Sequence, residues 1–306
     1  GLSIPGASEL SDQRISTTST VPEVGRPSNP TPSIRFSDLV LEELIGRGAF
    51  GKVYRATRLT DGAIVAVKYL RKEFWQNSQA TEHLIREVSV VSTLTHAGIV
   101  RHFGWGNAPR GAVFSVMELV EGTNLETWQR SSRVSVSDIL RCGIAVCDAL
   151  SAAHLTGVVH ADLTPCNILR RCDGSFVLTD FGFSRLINDP AKLVAAGTPG
   201  FLAPEQLCDV FGTVSPRTDI FGLAGVLYFL LTGQSPFNGR DVAEVFARTL
   251  SSNPVADVSV SVPDVPSDLG NLITQCLDKE PANRLESIVR VSEELSRIRA
   301  ELEIAE

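Results

Sequence analysis

Excess positive charge is missing from this chain of 306 residues: 28 Lys and Arg stand against 35 Asp and Glu, a net charge of −7. A nucleic-acid-binding surface needs a basic face, so that class of partner is excluded. Paired cysteines are missing too. The six present form no C-x-x-C and no short-spaced framework. A chain this long buries a core that needs no disulfide staples, so reduced thiols and a cytoplasmic setting are expected. No apolar run is long enough to span a bilayer. The longest, Ile220 to Leu231, carries glycines and predicts a buried helix. No signal peptide is visible, so this segment is expected to make no membrane contact. Methionine is almost absent: Met117 is the only one, and the chain begins with Gly1. That reads as a fragment or a processed chain, part of a larger regulatory protein with room for a membrane anchor elsewhere in the parent.

What is present is an ordinary globular composition, 43% hydrophobic, at a length suited to one large domain or two lobes. Residues 1–34 differ: eleven Ser and Thr and five Pro, with few large apolar side chains. Such a segment cannot bury enough surface to offset its ordering entropy and is expected to be a solvated tail. Beyond it, Leu39 to Ile45 reads as a strand, followed by Gly46-Arg47-Gly48-Ala49-Phe50-Gly51. Glycines there let a backbone approach an anionic ligand and take positive φ without a Cβ clash. A strand, Val53 to Arg58, follows rather than a helix, which argues against a dinucleotide-binding turn. A second strand, Ile64 to Lys68, puts Ile64, Ala66 and Lys68 on one face, a small side chain beside a cation.

Gln79 to Thr95 predicts a helix in which Leu84, Glu87 and Val91 share a face. Glu87 therefore points inward and needs a cation, for which Lys68 is the candidate. Val113 to Met117 is a strand, and Glu118 to Gly122 a short connection whose backbone suits a purine edge. Ser137 to Thr156 predicts a helix with Ser137 as N-cap and Gly157 at its end. Asp219 opens the apolar helix that Gly233 closes. Ile288, Val291, Leu295, Ile298 and Leu302 form a stripe for which packing on the domain is favoured over dimerisation through 288–302.

The chemistry concentrates between His160 and Asn167, His-Ala-Asp-Leu-Thr-Pro-Cys-Asn, and at Asp180-Phe181-Gly182. Asp162, Asn167 and Asp180 are polar groups set among apolar strands, costly there unless something binds them. Two carboxylates and an amide carbonyl are hard oxygen ligands, suited to Mg²⁺ carrying a phosphate. Between Asp180 and Ala203-Pro204-Glu205 lies a long irregular segment with Gly197-Thr198-Pro199-Gly200, and loops of that length tend to be functional. Arg284, beside the turn Glu280 to Asn283, is read as a structural ion-pair partner.

With these pieces in order, residues 38 to 300 resemble a eukaryotic-type (Hanks-type) serine/threonine protein kinase domain. The resemblance implies an α+β bilobal fold over 35–302: a small antiparallel β-sheet lobe with one helix (about 37–117), a hinge (118–122) and a larger, mainly α-helical lobe (about 123–302). It implies ATP with Mg²⁺, or Mn²⁺ as the alternative ion, and Ser or Thr hydroxyls of proteins as acceptors. Lys68 would hold the α/β-phosphates and pair with Glu87. Asp162 would take or orient the hydroxyl proton, and Asn167 and Asp180 would hold metal. Gly46, Gly48 and Gly51 would cover the phosphates. Ile45, Val53, Ala66 and Leu169 would sandwich adenine, the backbone of Glu118 and Val120 would bond its edge, and Met117 would be the gatekeeper. Arg284 would pair with Glu205.

Two departures from the family pattern carry consequences. Ala161 replaces the Arg that receives a phosphorylated activation loop, so activity is expected to be independent of that modification. Thr164 replaces a catalytic-loop Lys and brings no positive charge to the developing anion. Losing such a stabiliser costs on the order of 10²–10³ in kcat. A pseudokinase that binds nucleotide and signals as a scaffold is therefore the alternative reading. A small-molecule phosphotransferase is disfavoured, because Gly197 to Glu205 looks like a peptide-docking segment.

Overall fold

The computed structural model describes residues 34–305 except 49–50, 73–80, 82–83, 86–87, 90, 93, 182–184, 187–196 and 263–264. The expected tail, up to residue 33, lies outside the described residues. The first lobe is a five-stranded antiparallel sheet in the order β1-β2-β3-β5-β4. Its strands are β1 (Leu39–Arg47), β2 (Gly51–Arg58), β3 (Ala63–Leu70), β4 (His102–Asn107) and β5 (Val113–Glu118). Alternation assigns the two faces. Val65, Val67, Phe114 and Val116 turn outward, where Ile34 and Phe36 from the chain before β1 cover them. Leu70, Trp105 and Val113 turn inward against Leu84, Ile85 and Val88. Those three belong to the predicted helix, whose described residues are helical between Thr81 and Val91.

The second lobe holds α1 (Leu125–Ser131), α2 (Val136–Leu155), α3 (Pro204–Leu207), α4 (Pro216–Thr232), α5 (Val242–Leu250), α6 (Val258–Ser261), α7 (Ser267–Cys276) and α8 (Ile288–Ala305). α4 is the predicted apolar helix. It is buried on nearly every side, and Gly233 ends it in the left-handed conformation at φ 73°. Two helix starts differ from expectation. Ser135, not Ser137, caps α2, because its hydroxyl is the one that accepts the Asp138 N–H. α4 starts at Pro216 behind a Ser215 cap, so Asp219 lies inside its first turn rather than opening it. The stripe on α8 packs into the core: Ile288, Val291, Leu295 and Ile298 are each at most 3% exposed, with Leu302 half-buried beside them.

Short strands β6 (Gly122–Asn124), β8 (Ile168–Arg171) and β9 (Phe176–Leu178) form a small sheet under the connection between lobes. β7 (Val158–Val159) pairs with β10 (Arg185–Leu186). The Glu118 carboxylate meets Arg171 of β8 at 2.7 Å, and Cys172 N–H donates to the Glu121 carbonyl. The connection is thereby tied to the second lobe on its lower side. Among the described residues no helix is long and apolar enough to cross a membrane, and all six cysteines are free thiols.

Candidate active site

β7 delivers the chain to His160, and a 3-10 turn, Pro165–Asn167, returns it into β8. Between them five residues are held almost wholly by backbone and buried side chains. His160 Nε2 lies 3.2 Å from the Thr179 carbonyl, and its Nδ1 accepts the Asp162 N–H at 3.2 Å. That pair of partners requires the neutral ring with the proton on Nε2. Burial also pushes the His160 pKa down. Asp219, completely buried in α4, accepts the N–H of His160 at 2.9 Å and of Ala161 at 2.8 Å, and touches His154 Nε2 at 2.8 Å. Gly222, one turn further along α4, leaves room for Leu163: a Cβ there would come within 2.8 Å of the Leu163 Cβ. An apolar helix thus serves as the bench on which the polar loop rests.

Asn167 Nδ2 donates to the Asp162 carbonyl at 2.9 Å and to its Oδ2 at 3.0 Å. With its nitrogen so engaged, the amide presents its carbonyl oxygen on the other side. Burial raises the Asp162 pKa to about 7, with the nearby Asp180 charge adding to it. Asn167, the Thr198 N–H and Lys68 pull it the other way. A carboxyl poised there suits proton transfer near neutral pH. Across the cleft, Lys68 on β3 donates to Asp180 Oδ1 at 2.7 Å, joining residues 112 apart in sequence. Asp180 itself has left-handed backbone, φ 64°.

An apolar cluster drawn from both lobes adjoins the polar groups. Ala66 on β3 faces Met117 on β5 in register, and both are buried with Val100 and Val177. Val53, Leu119, Val120 and Leu169 pack on that cluster. The Glu118 N–H is taken by the Arg101 carbonyl, so of that residue's backbone only the carbonyl can serve a ring edge.

A protein-family comparison matches residues 39–294 to the protein kinase domain. The chain belongs to the protein kinase domain family. Relatives agree. It is 35% identical to the serine/threonine-protein kinase PkaA of Streptomyces coelicolor over 272 residues, 81% of this chain and 48% of that one. It is 34% identical to PkaB of the same organism, over 84% of this chain and 61% of that one. The serine/threonine-protein kinase PknK of Mycobacterium bovis is 34% identical over 83% of this chain and 23% of its own length. The chain spans about half the length of the first two relatives and less of the third.

In this kinase domain the structure brings together most of the residues that the sequence singled out. Lys68, Asp162, Asn167 and Asp180 converge, and Val53, Ala66, Met117, Val120 and Leu169 form one cluster. Ile45 stands on β1 at 45% exposed, outside that cluster. Glu87 and Gly182 lie outside the described residues, although Leu84 and Val91 on the predicted face are buried as expected. Gly46, Gly48 and Gly51 correct one expectation, since none of them takes positive φ. What Gly51 needs is space, because a Cβ would lie 2.7 Å from the Tyr69 carbonyl oxygen. Gly48 N–H donates back to the Gly51 carbonyl, closing the hairpin on itself.

Thr164 is 2% exposed and its hydroxyl has no hydrogen-bond partner among the described residues. Glu205 and Arg284 form a doubly bonded ion pair, at 2.6 and 2.8 Å, with neither side chain exposed. Sequence reasoning missed Val100, Val177 and the Arg171 brace. Period-two alternation in Phe176-Val177-Leu178 could have suggested Val177; the others are contacts across elements with no local signal. For a divalent ion, the Asp180 carboxylate and the Asn167 amide carbonyl are hard oxygen donors. Two protein ligands, with phosphate and water completing the shell, is the arrangement Mg²⁺ tolerates best. The donor set therefore fits the group. The pseudokinase reading finds no support in these relatives, which are named as kinases.

Proposed function

We propose that this domain transfers the γ-phosphoryl group of ATP to Ser and Thr hydroxyls of protein substrates, its own included. The observation that carries the reading is the Lys68–Asp180 contact gathered with the Asp162–Asn167 pair beside the apolar cluster of Ala66 and Met117. That cluster takes adenine, and Lys68 positions the α/β-phosphates. Asn167 and Asp180 hold the ion, Mg²⁺ with Mn²⁺ as the alternative, which when bound neutralises phosphate charge. Asp162 accepts or orients the hydroxyl proton. Its raised pKa supports that role, because a weaker acid is a stronger base. Thr164 contributes no cation, so turnover is modest relative to kinases with Lys there.

Coverage of about half of the relatives supports a larger regulatory protein around this domain, and free thiols suit a cytoplasmic location. The stripe of α8 is buried in the core, which supports packing on the domain over dimerisation through 288–302. The direct experiment is mass spectrometry of the protein after incubation with ATP and Mg²⁺, beside an Asp162→Asn control. Phosphoryl additions on Ser or Thr in the wild type but not the control are expected. Absence of both turnover and nucleotide binding in folded protein would end the reading.

A further inference from the structure

Ala161 has the left-handed backbone, φ 60°, that an L side chain avoids. It is also the residue immediately before Asp162, and its methyl can make no polar contact. Whatever holds the loop in this shape must hold residue 161 by its peptide groups. On the N–H side the holder is Asp219, at 2.8 Å. On the carbonyl side it is Gln206 of α3, whose Nε2 donates to the Ala161 carbonyl at 2.7 Å. The other end of the same amide, Oε1, accepts the Ala203 N–H at 3.0 Å. Gln206 is 8% exposed. A donor facing a carbonyl and an acceptor facing an N–H fix the amide's orientation, and no other uncharged side chain of that length offers both.

We infer that Gln206 is a positioning residue for phosphoryl transfer, holding the left-handed Ala161 peptide and through it the carboxylate of Asp162. The proposal rests on the kinase reading above. It also accounts for Ala161. The family's usual arginine at this position links the catalytic loop to the segment before Ala203-Pro204-Glu205 by charge. Here that segment, Phe181 to Ala203, offers only Ser184 and Thr198 as hydroxyls, and residue 161 has no charge to receive a phosphate. Beside the Thr198 N–H on Asp162, a neutral amide, that of Gln206, ties the docking segment to the catalytic loop and needs no modification to form.

Gln206→Glu is the discriminating variant, because it keeps the length and the acceptor for Ala203 N–H. It loses the donor to the Ala161 carbonyl while the new carboxyl is ionised. Gln206→Ala removes both bonds. Hydrogen exchange followed by mass spectrometry, on peptides spanning 158–164, reads the loop directly and independently of turnover. Both variants are expected to exchange faster there while peptides of α2 and α8 keep wild-type protection. Their kcat is expected to fall about tenfold, with KM for ATP within about twofold, because the cluster of Ala66 and Met117 and Lys68 are untouched. Lowering the pH to protonate the introduced carboxyl restores the donor, so protection at 158–164, taken relative to the intrinsic exchange rate at each pH, should rise in the Glu variant and not in the Ala variant. Wild-type exchange at 158–164 in both variants would overturn the proposal, as would a loss carried by KM for ATP. A wild-type protein without any turnover would instead overturn the kinase reading, and the exchange comparison would still decide Gln206. If the Ala variant does not fold, the Glu variant alone carries the comparison.

Discussion

Arg284→Met tests what anchors the segment that leads into the active site. In the structure the Arg284 guanidinium spends every N–H it has. Nη1 and Nη2 meet the two Glu205 oxygens at 2.6 and 2.8 Å. Nε donates to the Asp278 carbonyl, and the remaining protons go to the carbonyls of Arg217 and Lys279. Glu205 is completed by the Thr218 hydroxyl at 2.8 Å. Neither side chain of the pair is exposed. Removing the arginine leaves a carboxylate with no cation in a dry site, for which about 3–5 kcal/mol of stability is lost. Against a total of about 5–15 kcal/mol for a domain, that is a large share. For a domain of this size about 2–4 °C of Tm accompanies each kcal/mol, so a drop of roughly 6–20 °C is expected in a thermal melt. The exposed pair Arg240–Glu244 is the control: Arg240→Ala, with that arginine 92% exposed, should shift stability by no more than about 0.5 kcal/mol. The double variant Glu205→Met with Arg284→Met should recover most of the loss, since no lone buried charge remains. A single variant as mild as the Arg240 control, or a double variant no better than the single, would refute the reasoning.

Two further outcomes follow from the same structure. Thr164→Lys should raise kcat by at least about tenfold with KM for ATP unchanged, given the usual cost of a missing stabiliser; a steady-state assay showing no gain would mean the position is not limiting. His102 is buried, which lowers its pKa to about 4, with the Lys68 charge adding to the effect. Its unfolded form binds the proton more tightly, so its contribution to stability is full above pH 6.5 and is lost as pH falls toward 4. That window is worth about 3 kcal/mol at 1.36 kcal/mol per unit. Since its Nδ1 also has no partner among the described residues, His102→Leu should flatten urea-unfolding stability between pH 4 and 6.5 at little cost at neutral pH. A slope as steep in the variant as in the wild type would contradict this.

Much of the architecture was legible because local rules carry it. β1, β2, β3 and β5 were read as strands, period two set the faces of β3, and Gly233 marked the end of α4. β4 was not legible. Its run from His102 to Asn107 has two glycines and a register shift after His102, and neither face alternates cleanly. The cap of α2 lies two residues before the one that its sequence suggested, since Ser135 and Ser137 are equally good caps by type and only the Asp138 N–H distinguishes them.

At the site, residue types in order along the chain determined which groups do the chemistry: Lys68, Asp162, Asn167 and Asp180 are hard to explain otherwise in apolar surroundings. Chain order also located Ala161 and Thr164 as departures, because each is defined by its place in a motif. Only the tertiary structure decided how those departures are accommodated. That Gln206 reaches the Ala161 carbonyl and that Asp219 caps two loop amides from inside an apolar helix are relations between residues 45 to 59 apart in sequence. A hydrogen bond across such a span has no periodicity and no local composition to announce it. It exists because packing brings two backbones within about 3 Å of one side chain, and that distance is set by the fold as a whole.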